Sequence, residues 1–130
     1  MTTNMLEELR AGLFGQHLAG GNPSVGFVEL TNALFANNAA LATRLFGENL
    51  GSIEVGAAAD LALFDYDPPT PLTADTALGH LVFGLSQAPV DTTISGGRVL
   101  MENRRLKLDI DEARVNARAR ELSKNLWKRI

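Results

Sequence analysis

Ala59-Asp60-Leu61-Ala62-Leu63-Phe64-Asp65 is the stretch on which the reading of this chain turns. It is a short apolar run bounded by acids, the pattern of a strand buried on at least one face. Ile53 and Val55, just upstream, read as extended as well. Downstream, Asp67-Pro68-Pro69-Thr70-Pro71 cannot donate through its prolines and makes a rigid surface connection. Thr73 is predicted to cap a helix running to about Gly84, with Leu78, Leu81, Val82 and Leu85 as its apolar stripe. Val90 to Ser95, Gly96-Gly97 and Arg98 to Met101 predict a hairpin whose two glycines tolerate positive φ. Glu102-Asn103 then turns into a last strand, Arg104 to Leu108.

On the N-terminal side, Thr3 to Ala19 carries Met5, Leu6, Leu9 and Leu13 at spacings of three and four and Leu18 beyond them, with Glu7 and Glu8 placed well for the helix dipole and Gly20-Gly21 as its end. Asn22-Pro23-Ser24 is predicted to begin a second helix with Val28, Leu30 or Thr31, Leu34 and Phe35 inward. Asn37-Asn38 reads as a break, and Ala39 to Phe46 as a third helix stopped by Gly47. At the other end, a helix from Ile110 to about Lys128 begins with Asp109, Asp111 and Glu112 and finishes in Lys124, Lys128 and Arg129, so both ends match the dipole. Its apolar line is Val115, Ala119, Leu122, Leu126 and Ile130, with Trp127 beside it. The order α-α-α-β-α-β-β-β-α makes the fold class α+β. An open sheet with an exposed apolar edge needs cover, so a missing partner is expected.

The 130 residues, 45% apolar and 21% charged with no cysteine, are enough for one globular domain. Disulfides, thiolate metal sites and cysteine nucleophiles are excluded, and a chain without that chemistry fits the cytoplasm. No stretch approaches the roughly 18 to 20 apolar residues of a membrane span, which predicts a soluble protein with no membrane partner. The net charge of -3 hides an asymmetry: residues 1 to 100 carry ten acids against three bases, and residues 101 to 130 carry five acids against nine bases. The basic end is read as an amphipathic helix rather than a nucleic-acid arm, because its bases alternate with apolar residues and the remainder would repel a polyanion.

His17, near a helix end, suits the negative pole of the dipole, and His80, inside the predicted fourth helix, suits packing or hydrogen bonding. The two are 63 positions apart with no H-x-H or H-E-x-x-H, so neither marks a zinc site. Gly21 to Gly26 spells G-x-x-x-x-G, but Phe27 follows where a phosphate loop needs Lys and Ser or Thr. The carboxylate pairs Glu7-Glu8, Asp65/Asp67 and Asp109/Asp111 read as a helix face, a turn and a helix cap. The residues alone point to no catalytic site.

Gly51-Ser-Ile-Glu-Val-Gly-Ala-Ala-Ala-Asp-Leu-Ala-Leu-Phe-Asp65 resembles the C-terminal region of metal-dependent amidohydrolases, where the chain leaves the barrel for a small β-sandwich. Gly79-His80-Leu81-Val82-Phe83-Gly84 is similar to that family's H-L-V-Y/F-G helix. Val90 to Met101 is similar to its V-x-x-V-x-V-N-G-R-V hairpin, with Gly96 where Asn is usual. Asp65 to Leu72 and Ala117 to Arg129 resemble most the SsnA-type aminohydrolases associated with selenium metabolism.

The resemblance implies that Met1 is internal and lies just past the family's last-strand T-D-G, so that every metal ligand is absent here: no catalytic residue, no metal residue and no cofactor is assigned to this chain, while the parent would bind a divalent metal, zinc by expectation. It implies three parts: residues 1–50, the end of a (β/α)8 barrel; 51–108, part of a composite β-sandwich with a small antiparallel sheet and one inserted helix; and 109–130, a closing helix docked on an acidic body. Thr2, Thr3 and Asn4 would belong to a substrate loop; His80, Asp60, Gly96 and Gly97 would be structural. The function implied is the C-terminal fragment of an aminohydrolase, a hydrolase of non-peptide carbon-nitrogen bonds using metal-activated water, with the fragment itself inactive. Its partner would be the remainder of the parent chain, and a homo-oligomer is expected through strand addition or exchange of the terminal helix. The alternative is an independent α+β assembly or interaction module without catalysis.

Overall fold

Asn4 opens the first helix because its side chain accepts the amide of Leu6 at 3.0 Å, and the computed structural model describes residues 4–129 from this cap onward. Helix α1 (Met5–Gly20) ends at Gly21, which takes the left-handed conformation and returns its amide to the His17 carbonyl. Asn22-Pro23-Ser24 does not start the next helix. The Asn22 side chain instead accepts the Ser24 amide at 2.9 Å, a local turn that competes with helix formation. Helix α2 (Phe27–Asn32) begins three residues later, capped by Gly26, whose φ of 95° excludes most side chains and whose amide donates to Glu29 Oε2.

The expected break at Asn37-Asn38 is absent. Both asparagines have right-handed helical dihedrals and neither caps, so α2 passes through a π-helical stretch (Ala33–Asn37) into α3 (Asn38–Phe46). A π turn accommodates a shift of helical phase without exposing a helix end, which removes the need for a cap. Ile53 and Val55 form no strand: both side chains are fully in solvent, in a loop held by hydrogen bonds among Asn49, Ser52 and Glu54.

The sheet is a four-stranded antiparallel meander: β1 (Leu61–Phe64), β2 (Val90–Ser95), β3 (Arg98–Glu102) and β4 (Arg105–Leu106) pair in sequence order. Ser95 faces Arg98 across Gly96 and Gly97, with φ of 54° and 76°, the mirror-image turn that matches strand twist. Asn103 and Arg104 make the second such turn with φ of 50° and 61°, where glycine is missing and strand pairing holds a less favoured backbone. The Arg104 guanidinium meets the Asp65 carboxylate, so this turn is also tied to the end of β1. Both groups are well exposed, so the pair adds at most about 1 kcal/mol.

Between β1 and β2 the helix starts later than expected. Thr73 lies in a turn, and its amide donates to Thr76 Oγ1, which itself donates to the Pro71 carbonyl. Thr76 is the residue that precedes α4 (Ala77–Gly79), and a π-helical stretch (His80–Leu85) completes the element.

Among the described residues the buried large apolar side chains are Leu9 and Leu13 of α1 and Val82 of the π stretch, with Phe27, Leu30, Leu34 and Leu81 packed around them. The core thus joins the N-terminal helices to the segment inserted between β1 and β2. Leu18 and Met5, on the expected α1 stripe, face solvent instead. The final helix, α5 (Glu112–Trp127), is capped by the Asp111 side chain, which accepts the Arg114 amide at 3.0 Å. The expectation that it docks on an acidic body is not met. Every residue from 109 to 129 is exposed, because the Leu9–Leu13–Val82 core lies elsewhere and leaves this stripe uncovered. No helix of the described residues is long and apolar enough to cross a membrane.

Candidate functional site

His80 is buried, and both ring nitrogens are in use: Tyr66 Oη lies 2.6 Å from Nδ1 and Thr70 Oγ1 lies 3.2 Å from Nε2. Hydroxyls both donate and accept, so a neutral imidazole is satisfied in either tautomer. Tyr66 and Thr70 come from the proline-containing connection after β1, and His80 from the π stretch facing it. The histidine therefore clasps a rigid surface segment to the helix that carries the core residue Val82. Gly84 makes room for this clasp, since a Cβ there would fall 2.5 Å from Tyr66 Cζ and 2.8 Å from Cε2. A cavity of about 560 Å³ opens beside it, lined in part by Asp75, Thr76, Phe83 and Gln87.

Tyr66, Thr70 and Gly84 are the members of this cluster that the sequence reading does not single out. The available signal was Gly84: a glycine inside a helix costs about 1 kcal/mol relative to alanine and calls for a packing reason.

Asp60 stands immediately before β1, and its Oδ1 accepts both Ser95 Oγ at 2.9 Å and the Gly96 amide at 2.7 Å. The Gly97 amide donates to the Ala59 carbonyl at 3.0 Å. The glycine turn is thus pinned to the entry of the neighbouring strand. The Gly96 amide first, and the Ser95 hydroxyl second, hold the Asp60 carboxyl below its ordinary value of 3.8. A depressed folded-state value means the contribution is fully present above 3.8 and disappears as pH falls through the lower folded value. The amide shift of Gly96 followed by NMR is therefore expected to titrate with a midpoint below 3.8. In Asp60→Asn that step should vanish; a midpoint at or above 3.8 in the native chain contradicts the pin.

Of the three loop residues, Thr2 and Thr3 lie outside the described residues. Asn4 caps α1, and its Nδ2 donates to the Ser86 carbonyl at 3.4 Å, bringing the start of α1 to the end of the inserted helix. It borders a cleft of about 440 Å³ with Met5, Leu6, Phe64, Ala88 and Val90, whose walls are mainly apolar side chains. His17 donates from Nε2 to the Val25 carbonyl at 2.9 Å and stacks obliquely on Phe27.

These contacts decide how the residues fit the divalent metal implied by the resemblance. The ring nitrogens of His80 are committed to hydroxyls and Nε2 of His17 to a carbonyl. Among the described residues no three His, Asp or Glu side chains stand where they could hold a metal ion. The residues described here do not fit that metal.

A family model described as the amidohydrolase family matches residues 1–100. The chain is 35% identical over 125 residues to the 5-methylthioadenosine/S-adenosylhomocysteine deaminase of Desulforudis audaxviator, a match that takes in 95% of this chain and 28% of that relative. It is 34% identical over 127 residues to the Haloarcula marismortui protein of the same name, with 97% of this chain and 28% of the relative covered. The namesake from Dictyoglomus thermophilum is 39% identical over 82 residues, 63% of this chain and 19% of the relative. No solved structure matches. The chain thus spans about 28% of the length of the first two of these curated relatives. A family model over residues 1–100, joined to deaminase relatives that align along almost all of the sequence, shows that the chain belongs to the amidohydrolase family.

Proposed function

We propose that this chain is the C-terminal portion of a metal-dependent aminohydrolase that deaminates adenosine thioethers of the kind named for its relatives. The observation that carries this reading is the alignment of those deaminases over 95% and 97% of the chain, while the chain covers only 28% of them. In such a reaction water supplies the oxygen that replaces the amino group on the ring carbon, and the nitrogen leaves as ammonia. The part described here would supply the end of the barrel and part of the composite sandwich. Its contribution is structural: the His80 clasp and the Asp60 pin hold segments that the rest of the parent would cover. The metal would be held by residues of that remainder, and this chain alone would be catalytically incomplete.

The uncovered apolar surface supports the same reading. Phe35, Leu41, Leu45 and Phe46 on the helices and Leu63 on β1 are exposed large apolar residues, and β1 has β2 as its neighbour on one side. Among the described residues the outer edge of β1 pairs with no strand, and such an edge beside the exposed Leu63 is a surface that other strands would cover. The lack of cysteine fits a cytoplasmic parent.

The test has two arms. The genomic frame upstream of Met1 is expected to continue into T-D-G and, further up, H-x-H; a stop codon followed by an initiation signal at Met1 would overturn the parent. Zinc titrated calorimetrically into the 130-residue chain is expected to give no stoichiometric binding, and 5-methylthioadenosine with zinc no ammonia. Stoichiometric binding or turnover would overturn the incompleteness.

A further inference from the structure

We propose that α5 pairs antiparallel with α5 of a second copy of this chain. Four apolar side chains, Val115, Ala119, Leu122 and Leu126, are spaced four, three and four residues apart. That is the spacing of a coiled-coil seam, narrower than the stripe of a helix that lies on a broad globular core. The three large members of the seam are about half exposed, and no residue from 109 to 129 is buried. With a rise of 1.5 Å per residue the seam runs for about 16 Å.

The charges at the two ends select both the partner and its direction. Asp109, Asp111 and Glu112 mark the start, and Lys124, Lys128 and Arg129 the end. Turned end for end, a second copy sets its basic end against the first copy's acidic end, twice over by two-fold symmetry. A parallel pair would place acid beside acid and base beside base. The reversed arrangement also closes in register: when Val115 faces Leu126 of the other copy, Ala119 faces Leu122, and Glu112 comes toward Lys128 and Arg129 just past the other helix's end. One continuous pattern therefore supplies an apolar centre and an ion pair at each end. The helix macrodipoles run opposite ways, which favours the same direction. The occupant is thus another α5.

Four seam residues bury little compared with the roughly 800 Å² per partner of a standard interface, so the pairing is expected to be concentration-dependent. Trp127 flanks the seam and is the only tryptophan, which makes its fluorescence a direct reporter. The experiment follows sedimentation velocity and Trp127 emission of the 130-residue chain from micromolar to millimolar concentration. Conversion of monomer to dimer with a blue shift is expected. Leu122→Asp, on an exposed face where folding is not at stake, should abolish both while the sheet keeps its circular dichroism. Glu112→Arg should weaken the dimer at least tenfold, and adding Arg129→Glu should restore it. A chain that stays monomeric at millimolar concentration, a dimer that survives Leu122→Asp, or a double charge reversal that fails to recover would each overturn the pairing.

Discussion

Gly84→Ala is expected to lower the melting temperature by about 4–12 °C, because it expels Tyr66 from the position in which its hydroxyl reaches His80 Nδ1. The added Cβ would sit 2.5 Å from Tyr66 Cζ and 2.8 Å from Cε2, with the Tyr66 hydroxyl nearer still. A ring cannot yield to such overlap as the tip of a flexible side chain can, so Tyr66 must swing out or the π stretch must shift. If Tyr66 leaves, a buried imidazole loses a partner, at about 1–3 kcal/mol. If the π stretch shifts instead, overpacking strain of about 1–3 kcal/mol falls on Val82, which is 1% exposed in the core. Either route costs a few kcal/mol, and a domain of this size loses roughly 4 °C per kcal/mol.

A double-mutant cycle separates this account from a general intolerance of side chains in the helix. Tyr66→Phe alone removes the hydroxyl and should cost about 1–2 kcal/mol. Tyr66→Ala alone should cost more, but Gly84→Ala added to Tyr66→Ala should then cost almost nothing, since the obstructing ring has gone. Additive losses, measured by urea denaturation, would show that the two residues do not meet. Alanine has a higher helix propensity than glycine, so the local preference of the new residue works against the predicted loss and makes the sign of the result informative.

What the sequence discloses follows the range of the interaction that fixes each element. Gly96-Gly97 between two alternating runs discloses β2 and β3 because the turn and its strands are adjacent in sequence. Asp111, placed to accept an amide three residues on, discloses α5 in the same way. Asn37-Asn38 misleads because a capping preference is worth about 1 kcal/mol, whereas a helix that continues through a π turn keeps its backbone bonds and its anchor at Leu34. Ile53 and Val55 mislead because β-branched residues become a strand only when a neighbour accepts their backbone groups. For the site, His80 and Asp60 are legible as residues with a structural task, but their partners are not. Tyr66 is 14 positions from His80 and Ser95 is 35 from Asp60, and no periodicity connects such pairs. The failure of α5 to dock has the same origin: its stripe is evident in the sequence, and what covers a stripe is not.

Leu13→Ala is expected to destabilise the chain by about 2–5 kcal/mol, the range for removing a fully buried leucine side chain. In most domains such a loss is shared by a large core, whose neighbours relax into part of the space. Here the buried apolar cluster consists of Leu9, Leu13 and Val82, so the cavity would open among residues that are already few. Leu13 Cδ1 also lies 3.2 Å from where a Cβ would stand on Gly26, a backbone position fixed by φ of 95° and by the bond from its amide to Glu29. The wall on that side cannot move inward without disturbing the start of α2, which places the loss toward the upper end of the range. A total stability of about 5–15 kcal/mol is ordinary, and so small a core should lie near the bottom of it. The variant is therefore expected to be largely unfolded at 37 °C, with α1 helicity and the β2–β3 amide protection lost together in hydrogen exchange. Leu13→Met, which keeps the volume, should cost less than about 1.5 kcal/mol and remain folded. A loss below about 1 kcal/mol for Leu13→Ala, or a sheet that keeps its protection when α1 melts, would mean that the helices and the sheet are not held together by this cluster.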